Sequence, residues 1–235
     1  EKILRTAGYN AITVGNIGNP ILSFKKNKKK TFLILEVSSY QLQYSRLFRS
    51  KHAAILNISP DHLDRHKNMV NYAKVKSRIF LAQRSSDYSY INAENKYLKQ
   101  IKKIFRKKKI KSKLILINRS FPNHILNKIK NKHFRSKAYI ENLYFAYKIV
   151  KKLKVPDKTI IKAVNKFKGL PHRQEVIFLR KKILCINDSK ATSFDASLQS
   201  LLNYNKIYWI VGGLPKYKDY FYLKNVKKKI IKTYI

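Results

Sequence analysis

Short apolar runs alternate along the chain with longer stretches in which apolar residues recur every three or four positions, the alternation of strands and helices in an α/β fold. Residues 1 to 8 read as the end of an amphipathic helix closed by Gly8. The chain opens without Met, so it is expected to begin inside a domain. Tyr9 to Val14 predicts a short strand running into Gly15-Asn16-Ile17-Gly18-Asn19-Pro20, where two glycines permit a tight turn. Phe32 to Leu35 and Ala53 to Ile58 are short aliphatic runs bounded by polar residues, as expected of buried parallel strands. Between them Leu42, Tyr44, Leu47 and Phe48 stand at helical spacing, which predicts a crossover helix within 39 to 48 and a βαβ unit.

Met69 to Ala82 predicts a helix with Val70, Ala73, Val75, Ile79, Phe80 and Leu81 on its buried side. Strands follow at Tyr88 to Asn92 and Leu114 to Asn118, with a lysine-rich helix around Tyr97 to Phe105 between them. Ile140 to Lys152 is an amphipathic helix that Pro156 is expected to end, and Thr159 to Phe167 is another. The pattern shifts at Gly169-Leu170-Pro171-His172-Arg173, read as a hinge between domains at 1–168 and 169–235. Beyond it come a hairpin of Val176 to Leu179 with Ile183 to Ile186, a helix in 191 to 202, and a buried strand at Ile207 to Val211.

Composition changes this picture little. The formal charge of +41, from 53 Lys and Arg against 12 Asp and Glu, would ordinarily raise a nucleic-acid or anionic-membrane partner. The excess is mostly lysine, scattered among abundant Ile, Asn and Tyr as an A/T-rich coding sequence produces, so solvated lysine faces are the preferred reading over a polyanion groove. One cysteine, Cys185 in the apolar run ILCI, excludes a disulfide framework and a Cys-rich zinc site and is expected to be a buried thiol in a cytoplasmic protein. No run approaches the ~20 apolar residues of a membrane span, and no signal peptide is visible.

Candidate chemistry collects where strands give way to loops, the usual ligand crevice of an open α/β sheet. Glu36 with His62, Asp61 and Asp64 fits either a site for a hard cation such as Mg2+ or plain helix capping and local pairing, with nothing in the residues to decide between them. Lys76, read without further context, is one solvated lysine among many. Arg173, Asp188, Ser189, Lys190 and Lys216 gather cations suited to a phosphate or carboxylate, with surface pairing as the alternative. No G-x-S-x-G elbow and no G-x-x-x-x-G-K-[ST] loop is present.

Seven segments occur together in one order: GNIGNP at 15 to 20, EVSSYQL at 36 to 42, NISPDHLDRH at 57 to 66, YAKVKSRI at 72 to 79, GLPHRQE at 169 to 175, NDSKAT at 187 to 192 and GGLPK at 212 to 216. In this the chain resembles the Mur ligases, most closely the branch that adds D-glutamate. The resemblance implies an ATPase-like, mostly parallel-sheet central domain up to about residue 168 and a partial Rossmann-like domain from Gly169. It implies that ATP phosphorylates the carboxylate of UDP-N-acetylmuramoyl-L-alanine and that the D-glutamate amine attacks the acyl phosphate, in a cytoplasmic monomer. Carried over residue by residue, Glu36 and His62 would hold Mg2+ with Lys76 as a carbamylated lysine. Asn142, Arg173 and Asp188 would contact the nucleotide. Asn16, Ser38, Gln41 and Arg65 would lie near the muramoyl-alanine portion, and Lys190, Thr192 and Lys216 would face the reacting carboxylates and the incoming amino acid.

The chain departs from the family's pattern in places. Ala138 and Tyr139 replace a His-Asn pair, and Ser193 stands where an Asn usually follows SKAT. The UDP-binding domain, the glycine-rich phosphate loop and the end of the glutamate-binding domain are not among the 235 residues, so the chain alone is expected not to turn over. Its sheet, lacking a first strand, is expected to expose an edge and to be marginal in stability. The rival readings are a sister Mur ligase or folylpolyglutamate synthetase, a non-enzymatic basic module binding nucleic acid, and a decayed remnant.

Overall fold

The helix tail expected at the start is α1 (Lys2–Thr6), and Gly8 follows it at φ +83°, a left-handed stop that costs glycine nothing. The computed structural model describes residues 1–16, 18–24, 30–118, 121–135, 137–214, 224 and 226–235, with the backbone alone at 135, 137 and 138. These residues form an α/β protein with mostly parallel sheets. They divide into two compact units, Glu1–Ile58 with Val70–Phe167, and Ser59–Met69 with Lys168–Ile235.

In the first unit β1 (Asn10–Gly15) runs parallel to β2 (Thr31–Glu36), in register from Asn10 opposite Thr31 to Gly15 opposite Glu36. A second parallel sheet has the order β3 (His52–Ile55), β4 (Tyr88–Asn92), β5 (Lys113–Ile117). One hydrophobic core serves both sheets. Leu4, Ala11, Tyr90, Ile117, Ile125, Leu143, Tyr144, Phe145, Tyr147, Val150, Val155, Ile160 and Val164 are buried in it, and Phe32 and Ile34 of β2 and Ala54 of β3 pack against it. Burying an aliphatic or aromatic side chain of this size contributes ~1.5–3 kcal/mol. That is why α7 (Lys137–Lys152) and α8 (Asp157–Asn165), which supply seven of these thirteen, hold their place despite a lysine-rich outer face. α5 (Leu98–Lys107) attaches through the fully buried Ile101.

Beneath the second sheet Asp87, fully buried, accepts from Arg49 Nε (2.8 Å) and Nη2 (3.0 Å) and from the Arg84 N–H (2.8 Å). The paired guanidinium holds this carboxyl below the ordinary carboxylate range. Gln83 donates to the carbonyls of Ser50 and Tyr88 (2.9 and 3.0 Å), so the starts of β3 and β4 are tied by side chains as well as by the ladder.

In the second unit β6 (Glu175–Arg180) and β7 (Ile183–Asn187) form the expected antiparallel hairpin. Its turn residues Lys181 and Lys182 both take positive φ, the mirror-image turn that suits strand twist. α9 (Phe194–Leu201) is capped by the Ser193 hydroxyl, and β8 (Ile207–Ile210) pairs in parallel with β9 (Ile230–Tyr234). The β-branched run that makes β9 is visible in the sequence but was not among the expected strands.

Several expectations are corrected. The two runs read as a βαβ pair are both strands, but β2 bonds to β1 and β3 to β4, and they do not bond to each other. Hydrophobic pattern specifies that a run is a strand; it does not specify which edge that strand occupies. Nor is β2 buried: none of its six residues is, and Leu33 is 41% exposed. The crossover helix α2 (Ser39–Tyr44) ends at Ser45, leaving Leu47 90% exposed. The helix expected over 69–82 is α4 (Met69–Lys76) followed by a tighter 3-10 turn, Ser77–Phe80, where the Ser77 hydroxyl donates to the Ala73 carbonyl at 2.7 Å. Pro156 does not end α7; it stands at the N-cap of α8, where a missing N–H costs nothing. β8 is not a buried strand, with Ile210 84% exposed, and Cys185 is only half-buried.

Candidate functional site

The C-terminal ends of β1 and β2 meet closely, and glycine makes this possible. Gly15 takes φ +106°, and a Cβ there would run into the Glu36 carbonyl and the Leu35 side chain. The backbone can therefore turn beside Glu36: Gly15 donates to the Asn19 carbonyl (2.9 Å), and Asn16 N–H donates to the Glu36 carbonyl (2.9 Å). Asn16 Nδ2 also donates to Glu36 Oε1 at 3.1 Å, so the first two predicted site residues are in contact and the Glu36 carboxylate is held in one orientation. The GNIG turn thus does more than reverse the chain.

Ser38 and Gln41 are also together, as the capping box of α2. Ser38 Oγ accepts from the Gln41 N–H (3.2 Å) and Gln41 Oε1 accepts from the Ser38 N–H (2.8 Å). The box fixes where α2 starts, directly after Glu36. Arg78 secures its other end by donating to the carbonyls of Leu42 (2.7 Å) and Ser45 (2.9 Å). Lys76 is half-buried at the end of α4, with Nζ 4.9 Å from the centre of the Tyr72 ring, a cation–π distance. It lines a cavity of ≈170 Å³ with Val37, Leu42, Ile79 and Ala54 to Asn57. Asn142 lies on the exposed side of α7. Tyr139, one turn earlier, places its ring 3.8 Å from that of His133.

The second unit contains the remaining described candidates. His62 adopts a left-handed backbone (φ 53°) before α3 (Leu63–His66). Its N–H donates to Asp61 Oδ1 (3.0 Å), and its Nε2 lies 3.4 Å from Asp61 Oδ2. Arg65 is exposed on α3. Farther along, two loops are joined by hydrogen bonds: Gln174 N–H donates to Asp188 Oδ1 (3.0 Å), Lys190 N–H donates to the His172 carbonyl (3.0 Å), and Asn187 Nδ2 donates to His172 Nδ1 (2.8 Å). Asn187 Oδ1 accepts from the Ser189 N–H (3.0 Å). Arg173, Asp188 and Lys190 are thereby set on one pair of loops, with His172 and Gln174 in left-handed conformations that turn the chain between them. Thr192 is exposed just beyond. Lys216 lies outside the described residues.

Sequence reasoning missed the residues that organise this loop pair. His172 and Asn187 stand inside the two segments already singled out, and their polar character next to a glycine hinge and a strand end was the available signal. It also missed Tyr72 under Lys76. Among the described residues no three His, Cys, Asp or Glu side chains gather as a metal-ligand cluster. Glu36 offers oxygen donors suited to a hard cation, whereas the Lys76 ammonium has no lone pair to give. The set fits Mg2+ only if Lys76 carries a carbamate.

The family model described as "Mur ligase middle domain" matches residues 1–162. The UDP-N-acetylmuramoylalanine–D-glutamate ligases of Rickettsia felis and Rickettsia bellii are 34% and 35% identical to the chain over its whole length. The chain spans only about 55% of each. Among solved structures, a MurF ligase from Thermotoga maritima in complex with ADP superposes at a TM-score of 0.64 and 11% identity, over 99% of this chain and 66% of that one. No helix among the described residues is long and apolar enough to cross a membrane. A family match over more than half of the residues, on a parallel α/β frame, places the chain in the Mur ligase family.

Proposed function

We propose that the chain is the central part of an ATP-dependent ligase that joins D-glutamate to UDP-N-acetylmuramoyl-L-alanine through an acyl phosphate, in peptidoglycan synthesis. The observation that carries the amino-acid choice is the pair of D-glutamate ligases aligned over all of this chain at 34% and 35% identity, against 11% for the MurF structure. The reaction turns three anions into neighbours, so the protein's contribution is positioning and charge neutralisation.

In this reading Asn16 orients the Glu36 carboxylate, and Glu36, His62 and a carbamylated Lys76 hold Mg2+, which neutralises phosphate charge. The carbamate would form by attack of the neutral Lys76 amine on CO2 with loss of one proton; counted from the ammonium, two protons leave and a cation is replaced by an anion. Asn142, Arg173 and Asp188 contact ATP, Arg173 toward phosphate and Asp188 toward ribose. Ser38, Gln41 and Arg65 border the muramoyl-alanine portion, and the capping box gives Ser38 and Gln41 a fixed geometry from which to do so. Lys190, Thr192 and Lys216 face the reacting carboxylates and D-glutamate. The domain division at 168/169, the cytoplasmic location and a monomeric state complete the proposal.

The test is a chimaera in which this chain replaces the matching residues of the Rickettsia felis ligase, assayed for phosphate release from ATP with UDP-N-acetylmuramoyl-L-alanine. Release that requires D-glutamate, and that is lost in Lys76→Ala and Glu36→Gln, is expected. Release that prefers another amino acid would overturn the substrate assignment. A folded chimaera silent with every acceptor, beside an active Rickettsia felis enzyme, would overturn the enzymatic reading.

A further inference from the structure

Nine of the fifteen residues from Lys99 to Lys113 are Lys or Arg, against 53 of 235 in the whole chain, and no Asp or Glu occurs between Glu94 and Glu141. Lysine scattered by composition accounts for the average; it does not account for a stretch at more than twice that frequency with no acidic residue near it in sequence. In α5 these cations fall on one side. At about 100° per residue Lys99, Lys102, Lys103, Arg106 and Lys107 occupy roughly 140° of the circumference, opposite the fully buried Ile101. Lys99, Lys103, Arg106 and Lys107 are exposed, and the exposed Lys108, Lys109, Lys111 and Lys113 carry the run to the start of β5. None of the nine forms an ion pair with a described acidic residue. The basic surface continues across the end of the sheet, where His52, Tyr88 and Lys113 stand in register on β3, β4 and β5. Lys113 Nζ lies 5.8 Å and Lys152 Nζ 5.3 Å from the centre of the Tyr88 ring, so two ammonium groups share one ring. Lys51 is, after burial, what holds the His52 imidazole below its ordinary range, and Lys152 acts in the same sense against Asp87. This is the end of β3 opposite the one at which Ala54 to Asn57 and Lys76 line the cavity.

We propose that this surface, α5 with residues 108–113 and the adjoining Lys51 and Lys152, docks the chain on the face of a bilayer rich in anionic headgroups, by charge alone and without insertion. Eight of the nine cations from Lys99 to Lys113 are lysines, point charges without the planar fork by which arginine reads a particular phosphate or base. An anionic bilayer asks only for density of positive charge within a screening length of its surface. A nucleic-acid surface would add exposed rings for the bases to stack on. The rings here are already engaged: Phe105 faces Phe80 at 5.3 Å, and Tyr88 is stacked with His52 at 5.2 Å with the planes 7° apart. No large apolar residue between Lys99 and Lys113 is exposed, so the helix has nothing to bury among acyl chains and lies on the headgroups. Docking through this end of the β3-β4-β5 sheet leaves the cavity beside Lys76 open. The proposal rests on charge and helix geometry, not on the ligase reading.

Co-sedimentation of the 235-residue chain with vesicles tests it. Vesicles of phosphatidylglycerol and phosphatidylcholine in equal parts are expected to bind the chain, and vesicles of phosphatidylcholine alone are not. Binding should fall steeply as added salt shortens the screening length. Because the whole chain is basic, the deciding comparison is between two variants that lose the same charge. One carries Lys99→Gln, Lys103→Gln, Lys107→Gln and Lys108→Gln; the other carries Lys148→Gln, Lys158→Gln, Lys162→Gln and Lys166→Gln, all exposed positions on α7, on α8 or at its end. A cooperative melt close to that of the parent shows that each folds; should the first fail, its two halves, Lys99→Gln with Lys103→Gln and Lys107→Gln with Lys108→Gln, take its place. The first variant is expected to bind ~100-fold more weakly or worse, each half about tenfold, and the second variant less than about fivefold. Arginine at the four α5 positions should keep the binding, since charge and not shape is read. Equal losses in the two glutamine variants would leave only net charge and overturn the proposal, as would binding to phosphatidylcholine alone or none to either vesicle. A single-stranded oligonucleotide bound more tightly than the vesicles, and lost with the same four lysines, would assign the surface to nucleic acid and overturn it too.

Discussion

Replacing Gly15 by alanine tests whether the close approach of β1 and β2 holds the candidate site together. Gly8 is the natural control. Both residues take positive φ, +106° and +83°, but a Cβ at Gly8 meets nothing within 4 Å, whereas at Gly15 it meets the Glu36 carbonyl and the Leu35 side chain. Gly8→Ala therefore carries only the left-handed backbone penalty, ~1–2 kcal/mol. Gly15→Ala carries that plus the cost of forcing backbone apart at a packed contact, ~1–3 kcal/mol, or about 2–5 kcal/mol together. For a chain of this size 1 kcal/mol moves Tm by ~2–4 °C, so Gly8→Ala is expected to lower Tm by roughly 2–8 °C and Gly15→Ala by roughly twice as much. The first unit is followed by near-UV circular dichroism, because the buried Tyr72, Tyr90, Tyr144 and Tyr147 all belong to it, while Trp209 reports on the second unit by fluorescence. Gly15→Ala should shift the tyrosine transition and leave the tryptophan one unchanged. Equal losses in the two variants would show that the approach of Gly15 to Glu36 carries no energy, and the account of how Asn16 reaches Glu36 would fail with it.

The remaining predictions concern the core and pH. Phe80 is fully buried with its ring 5.3 Å from that of Phe105, so Phe80→Ala is expected to cost ~3–5 kcal/mol in urea unfolding, against less than ~0.5 kcal/mol for the exposed Leu47→Ala. His52 is pushed below the ordinary imidazole range by burial first and by Lys51 next, and His133 by burial. A depressed histidine binds its proton more readily unfolded than folded, so this stability is complete above about pH 6.5 and is lost as pH falls from there toward the folded-state values. Thermal melts between pH 8 and 5 should show that decline, and His52→Gln, which keeps an acceptor for the Tyr90 hydroxyl, should flatten it; an unchanged slope would remove His52 as its source. Asp87 acts in the more acidic range: its depressed carboxyl stabilises the fold above the unfolded carboxylate pKa and loses that contribution as pH drops through the folded one.

Much of the element list was legible because long amphipathic patterns leave few alternatives. α7, with Leu143, Tyr144, Tyr147 and Val150 on one side, and the hairpin of β6 and β7 were readable from spacing alone. The resemblance to the Mur ligases rested on segments whose order no single motif could supply, and the family match later agreed with it. One local signal went unused: S-x-x-Q at Ser38 and Gln41 is a capping box, a structural role written in four consecutive residues.

What the sequence by itself determined is therefore the type of most elements and the chemical character of the first strand ends, since periodicity and local hydrogen-bonding residues act over a few positions. Only the tertiary structure decided pairing and coverage. No local pattern states that β2 bonds to β1, that Asn16 meets Glu36 across twenty residues, or that Asp87 is buried against Arg49 across thirty-eight. Those contacts join residues distant in sequence, and their free energy comes from burial and desolvation that exist only once the sheets share a core.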